Sequence, residues 1–350
     1  LVSHKVKWMS LIAAVMVVFI HVPQITGPGL SAGIEHFISQ GICRVAVPFF
    51  FAVSGYMLAR HMDEKGWWKR AVRKRVKSIL IPYFLWCLIS TIVRIALGAA
   101  MVVSANLLHH ECLLRNMSSV LISPIDAFGL SLFRGVASNT ALWYLRELMI
   151  FVLVSPLIFL LIKKSREVTI VLLLIFWGLG GVLNILYSVE SEYFFFFDRW
   201  LSFSGLFYFA VGAYLWQQPL HVGKFQALAC LVCGLFVMLF LSVLVSCGVD
   251  VGGCGVFMRN VAIPLVLIGL WYCTPGKCPP ALFSGLSFPI FLIHCIVLSV
   301  TLTPVHVFHP AFPRTLFGYF LCAASVVIVS AFLAVLIRRS GRMSLLFGGR

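Results

Sequence analysis

Apolar residues in this chain run in long unbroken stretches, separated by short polar connections. The stretches fall at Met9–Val22, Phe37–Ala59, Ile79–Val103, Leu142–Ile162, Val168–Tyr187 and Leu201–Trp216, then Phe225–Val249, Val256–Cys273, Ala281–Leu302 and Thr315–Ile337. About 20 apolar residues in a helix cross a bilayer core. The stretches are continuously apolar and do not alternate, so helices are predicted and a barrel is not. The pattern therefore predicts an all-α, polytopic membrane protein of about ten transmembrane helices. The whole of residues 1–350 reads as one transmembrane domain, because no polar stretch is long enough to fold alone.

Composition agrees: 61% of the 350 residues are hydrophobic, 11% are charged, and mean hydropathy is +1.03. A soluble domain carries about 25% charged residues, so a soluble enzyme with a single anchor is excluded. The formal net charge of +16 is unevenly placed. Lys5 and Lys7 precede the first stretch; Lys65, Lys69, Arg70, Arg73, Lys74, Arg75 and Lys77 fill the second connection. Lys163, Lys164 and Arg166 fill the fourth, and Arg338, Arg339 and Arg342 follow the tenth. Odd-numbered connections hold only Arg115, Arg134, Arg199 and Arg314. Positive residues accumulate on the cytoplasmic side, so both termini are expected in the cytoplasm. This placement explains the basic charge by membrane topology, and no nucleic-acid partner is expected; membrane lipids are.

The third connection, Ser104–Thr140, contains a mildly amphipathic piece from Ser123 that suits the membrane surface. The Cys230–Cys233 pair sits in an apolar stretch and reads as packing. Cys247 and Cys254 flank one short loop and could pair in an oxidising space. The first stretch has a basic start like a signal peptide but no small-residue cleavage site, so it is read as retained.

Two ionisable groups stand out. Arg44 opens Arg44-Val-Ala-Val-Pro48-Phe-Phe-Phe-Ala-Val-Ser54-Gly55-Tyr56. A charge inside the bilayer costs about 3 kcal/mol or more on insertion scales, which marks it for a partner or a role. His21 lies about 21 Å along the first helix from Lys7, in the outer half of a core about 30 Å thick. Arg44 lies about 10 Å down the second helix from the same side. The depths overlap, so both are expected to line one cavity. An imidazole is a suitable acceptor for a hydroxyl proton, and a guanidinium can hold an anion or a developing oxyanion. The pair fits acyl transfer to an alcohol and proton-coupled transport equally well. His21 reads just as evenly as an interfacial histidine bonded to a backbone carbonyl.

The run Arg73, Lys74, Arg75, Lys77 has a plain topological reading and a functional one, a phosphate site for coenzyme A. Trp67 and Trp68 suit the interface, and either could stack on an adenine. Arg146 and Glu147, after Trp143, could pair with each other or with other helices. Arg94 and Arg259 can snorkel. His294 reads as a buried structural histidine.

The ordered motifs resemble the acyltransferase-3 family of bacterial membrane O-acyltransferases. The carriers are the first helix ending in His21; Arg44 to Tyr56; Lys74-Arg-Val-Lys-Ser-Ile-Leu-Ile-Pro82-Tyr83 with Trp86; Leu142-Trp143-Tyr144-Leu145; Phe209-Ala-Val-Gly212; and Ser287-Phe-Pro-Ile-Phe-Leu-Ile-His294. The resemblance implies ten spans in a bacterial inner membrane. It implies transfer of an acyl group, usually acetyl from acetyl-CoA, to a hydroxyl of an envelope polysaccharide or lipid-linked sugar. It makes His21 the catalytic residue, as general base or acyl carrier, and the matching depth adds Arg44 as its cationic partner. It puts coenzyme A near the cytoplasmic basic motif, where Arg75 matches the family's first arginine and Arg73, Lys74 and Lys77 stand beside it; a substrate cavity is expected at Ser54, Trp143, Arg146, Glu147 and His294. No metal is expected. Arginines usual in the family fall here on Ser10 and Ser78, and Lys7 stands where many members have Asp. The alternatives are a transporter or carrier of a glycan or anionic substrate, and a non-catalytic scaffold in a polysaccharide assembly.

Overall fold

The computed structural model describes residues 2–109, 139–189, 202–280, 283–308, 311–339 and 344–348. The described residues are almost wholly helical. Helix α1 spans Val2–His21. Helix α2 (Leu30–His36) runs through a π turn at Phe37–Gly41 and a 3-10 turn at Ile42–Val45 into α3 (Ala46–Ala59). Helix α4 (Trp67–Arg75) passes through a second π turn, Val76–Leu80, into α5 (Ile81–His109). Then follow α6 (Trp143–Lys164), α7 (Arg166–Val189), α8 (Phe203–Gln217), α9 (Lys224–Ser246), α10 (Gly252–Cys273), α11 (Ser287–Phe308) and α12 (Leu316–Arg339).

Eight of the helical segments are long and apolar enough to cross a membrane. The sixth and ninth predicted stretches form α8, of 15 residues, and α11, whose described apolar part runs Ser287–Thr303. The chain is thus a polytopic, all-α membrane protein. Large apolar side chains such as Leu157, Phe225, Phe236 and Phe317 stay exposed, which suits a lipid-facing rim. The surface piece expected in the third connection, with Arg115 and Arg134, lies outside the described residues, as does Arg199.

The basic connections meet at one end. Lys5 donates to the carbonyl of Trp271 at 2.9 Å, and Trp8 donates to that of Lys277 at 3.1 Å. Lys163 pairs with Asp63, and Arg338 reaches the Ser284 carbonyl. At the opposite end Gly29 donates to the Ser246 carbonyl at 2.8 Å. Cys247 and Cys254 are unpaired there, so the disulfide considered from their spacing is not formed.

Motif glycines set the tightest helix crossing. A Cβ on Gly55 of α3 would sit on the Phe209 carbonyl oxygen of α8, and one on Gly212 would sit on the Ala52 carbonyl oxygen. Backbone meets backbone there, as small residues permit in membrane bundles. Two prolines follow the irregular turns at Ile42–Val45 and Val76–Leu80. Pro48 and Pro82 lack the N–H that would bond the carbonyls four residues earlier, on Arg44 and Ser78. The helix loosens beside both residues.

Candidate active site

Helix α1 presents His21 at its last turn. The Nδ1 atom lies 2.8 Å from the Val17 carbonyl oxygen. A carbonyl only accepts, so Nδ1 carries the proton and the neutral ring offers the lone pair on Nε2. The 3-10 turn carrying Arg44 packs on α1, and Arg44 is close enough to act on His21 electrostatically. The guanidinium is steered from its own helix: Nε and Nη2 donate to Gln40 Oε1 at 3.0 and 2.5 Å. One helical turn separates these residues, so the loosened Phe37–Val45 segment aims the fork.

His294, fully buried on α11, faces His21 with ring centroids 5.2 Å apart. Its Nδ1 donates to the carbonyls of Phe291 (2.8 Å) and Ile290 (3.2 Å). Its Nε2 is 3.3 Å from the Cys295 sulfur. His294 is held as a structural histidine, yet it borders His21, and it does not line the cavity that Arg75 lines, where the substrate cavity expected at this residue would lie. Cys295 was missed, because one cysteine among eleven carries no signal without its neighbours. The ligand atoms of His21, His294 and Cys295 lie within 4.8 Å of one another. Among the described residues this trio is the group able to hold a metal ion, and its two-imidazole, one-thiol donor set suits zinc.

A cavity of ≈ 260 Å³ enters from the basic side. Arg75 and Ser10 line it together with Ser54, and Tyr144 and Phe291 lie at its inner side. Ser54 Oγ and the Tyr144 hydroxyl are 3.4 Å apart. Phe50, Tyr144 and Phe291 contact pairwise with centroids 5.6 to 6.2 Å apart. Phe291 is 6.0 Å from His294. The cavity thus stops at an aromatic layer one ring short of His294.

Several expected positions differ. His21 and Arg44 are not among the lining residues of this cavity, because the Phe50–Tyr144–Phe291 layer stands between. Of the four basic residues expected at coenzyme A, Arg75 lines the cavity, while Arg73, Lys74 and Lys77 are exposed on the surface. Trp67 stacks on Phe159 at 5.2 Å and Trp68 donates to the Val152 carbonyl, so both indoles are engaged within the protein. Arg146 and Glu147 do pair, at 2.8 Å. Glu147, 1% exposed, also accepts from the Ser202 amide at 2.9 Å. That carboxylate anchors the start of α8 and does not line the cavity. Trp143 packs on Phe51. Arg259 is half-buried and lines a pocket, where snorkelling was expected; Arg94 is exposed.

At Ser78, the 344–348 segment fills space. Gly348, with φ of 69°, packs where a Cβ would meet the Ser78 backbone. Phe347 stacks on Trp86, and Trp86 donates to the Leu346 carbonyl at 2.9 Å. A small residue at Ser78 admits this packing.

Comparison with known families decides the class. A family model described as "Acyltransferase domain", acyltransferase-3, matches residues 4–337. The chain belongs to the acyltransferase-3 family. The chain is 25% identical over 186 residues to the succinoglycan biosynthesis protein ExoH of Rhizobium meliloti (strain 1021). That match covers 49% of this chain and 46% of ExoH, so it spans about half the length of the curated relative. No solved structure matches the chain.

Proposed function

We propose that this membrane acyltransferase moves an acetyl or other short acyl group from cytoplasmic acyl-CoA to a hydroxyl of an extracytoplasmic or lipid-linked polysaccharide, in the bacterial inner membrane. The observation that carries the reading is the run of contacts from the Arg75 cavity through Phe291 and His294 to His21. The similarity to a protein of succinoglycan biosynthesis supports the polysaccharide acceptor. The basic end would face the cytoplasm.

In this reading Arg75 pairs with a coenzyme A phosphate, and the pantetheine arm lies in the cavity. The thioester carbonyl passes the aromatic layer by rotation of Phe50 or Phe291. His21 Nε2 takes the proton of the sugar hydroxyl as its oxygen attacks the thioester carbon. Arg44 stabilises the oxyanion that forms. The C–S bond then breaks, and the departing thiolate takes the proton from the His21 imidazolium. The same free Nε2 would serve if His21 carried the acyl group transiently.

The test uses purified protein, acetyl-CoA and a polysaccharide acceptor, with free thiol followed over time. Thiol release that requires the polysaccharide supports acyl transfer. Polysaccharide uptake into vesicles without thiol release would assign the protein to the transporter class.

A further inference from the structure

Away from the Arg75 cavity, at the opposite end of the bundle, a second pocket of ≈ 40 Å³ opens between α2, α9 and α10. His36, Gln40 and Arg259 supply its polar lining, with Met238, Leu241 and Gly255 as walls. Among the described residues Arg259 forms no hydrogen bond and no ion pair, and the charge that acts on it is that of Arg44. The Gln40 amide nitrogen is buried with no acceptor, because its oxygen is taken by Arg44. Two guanidinium groups thus share a low-dielectric region with one buried carboxylate, Glu35, which acts on Arg44. One positive charge and one amide donor are left without a counterpart. An unmatched charge in a partly desolvated pocket and an orphaned buried donor are both costly, and a bound anion removes both costs.

We infer that Arg259 and Gln40, beside Arg44, form a binding site for a single anionic group of the acceptor, a carboxylate or a phosphate. This deepens the proposed function and rests on it. The pocket has room for about three water-sized groups, enough for the oxygens of one such anion but not for a sugar ring. The sugar therefore stays outside the pocket. Arg44 sits on the 3-10 turn that packs on α1 and acts electrostatically on both Arg259 and His21, so an anion held here tethers the acceptor on the His21 side of the bundle. Guanidinium forks suit either oxyanion, and the apolar walls strengthen the pairing. His36 donates through Nδ1 to Ser242 Oγ at 3.0 Å, because the Ser242 hydroxyl donates to Met238 O. Its Nε2 is left at the pocket.

The experiment titrates the full chain in nanodiscs with glucuronate, inorganic phosphate and neutral glucose. Wild type is expected to bind at least one anion about tenfold or more tightly than glucose. Arg259→Gln should lose that preference, and Arg259→Lys should keep part of it. A preference for glucuronate over phosphate assigns the anion to an acidic sugar; the reverse assigns it to a lipid-linked phosphate. Equal binding of glucose and both anions, binding of no anion, or an unchanged preference in Arg259→Gln overturns the site. Thiol release from acetyl-CoA is measured on the same preparation. Transfer without anion preference removes only this site; anion preference without transfer removes the enzymatic reading.

Discussion

Replacing Arg75 by Gln tests how the donor is held. Arg75 is the one residue of the basic run that lines the cavity, whereas Lys74 is exposed. A hydrogen bond to a charged group in a partly enclosed site is worth about 1.5–3 kcal/mol. At about 1.4 kcal/mol per decade, Arg75→Gln should weaken coenzyme A binding by about 10- to 150-fold. An exposed charge contributes about 0–1 kcal/mol and is screened by salt. Lys74→Gln should then cost at most about fivefold, and that loss should fade at high ionic strength. Titration calorimetry of coenzyme A into the detergent-solubilised protein, at two salt concentrations, reads both numbers. Arg75→Lys keeps the charge but not the planar fork and should fall between them. Equal losses for Arg75→Gln and Lys74→Gln would refute the assignment, since burial would then not distinguish them.

Three further outcomes follow from particular contacts. Gly55→Ala should lower the thermal midpoint, because the added Cβ meets the Phe209 carbonyl oxygen; overpacking of this kind costs about 1–3 kcal/mol, and an unchanged melt would contradict the crossing. Zinc ions should inhibit reversibly by occupying His21, His294 and Cys295, and Cys295→Ala should weaken that inhibition while a chelator restores wild-type activity. Hydrogen bonds from His61 and then Arg70 hold the exposed Glu64 carboxyl below its ordinary 4.5. Its stabilisation of the 60–66 loop is present above pH 4.5 and is lost as pH falls through the lowered value. Amide protection across that loop, measured against the intrinsic exchange rate at each pH, should therefore fall only at acid pH, and Glu64→Gln should remove the dependence.

The helices were legible because apolar runs of bilayer length have one solution in lipid. The ten predicted stretches fall on helices, and the hydrogen bonds among basic loops group them as charge parity did. His21 and Arg44 were legible because a lone polar group in an apolar run is conspicuous. Pro48 and Pro82 are visible in sequence, but the π and 3-10 turns beside them depend on how the freed carbonyls settle. The cavity was not legible: its inner side is Phe50, Tyr144 and Phe291, apolar or aromatic residues indistinguishable in sequence from packing. Glu147 looked like a cavity acid, yet the amide it satisfies lies 55 residues away. Arg259 looked free to snorkel because its pocket needs α2 and α9, which only tertiary packing brings to it.

The central claim is that His21 Nε2 is the base that takes the acceptor's proton. Acetyl transfer by purified His21→Ala, beside wild type and matched for fold by its melt, measures it directly. The variant should release thiol from acetyl-CoA no faster in the presence of polysaccharide than in its absence. Full polysaccharide-dependent transfer by His21→Ala would contradict it.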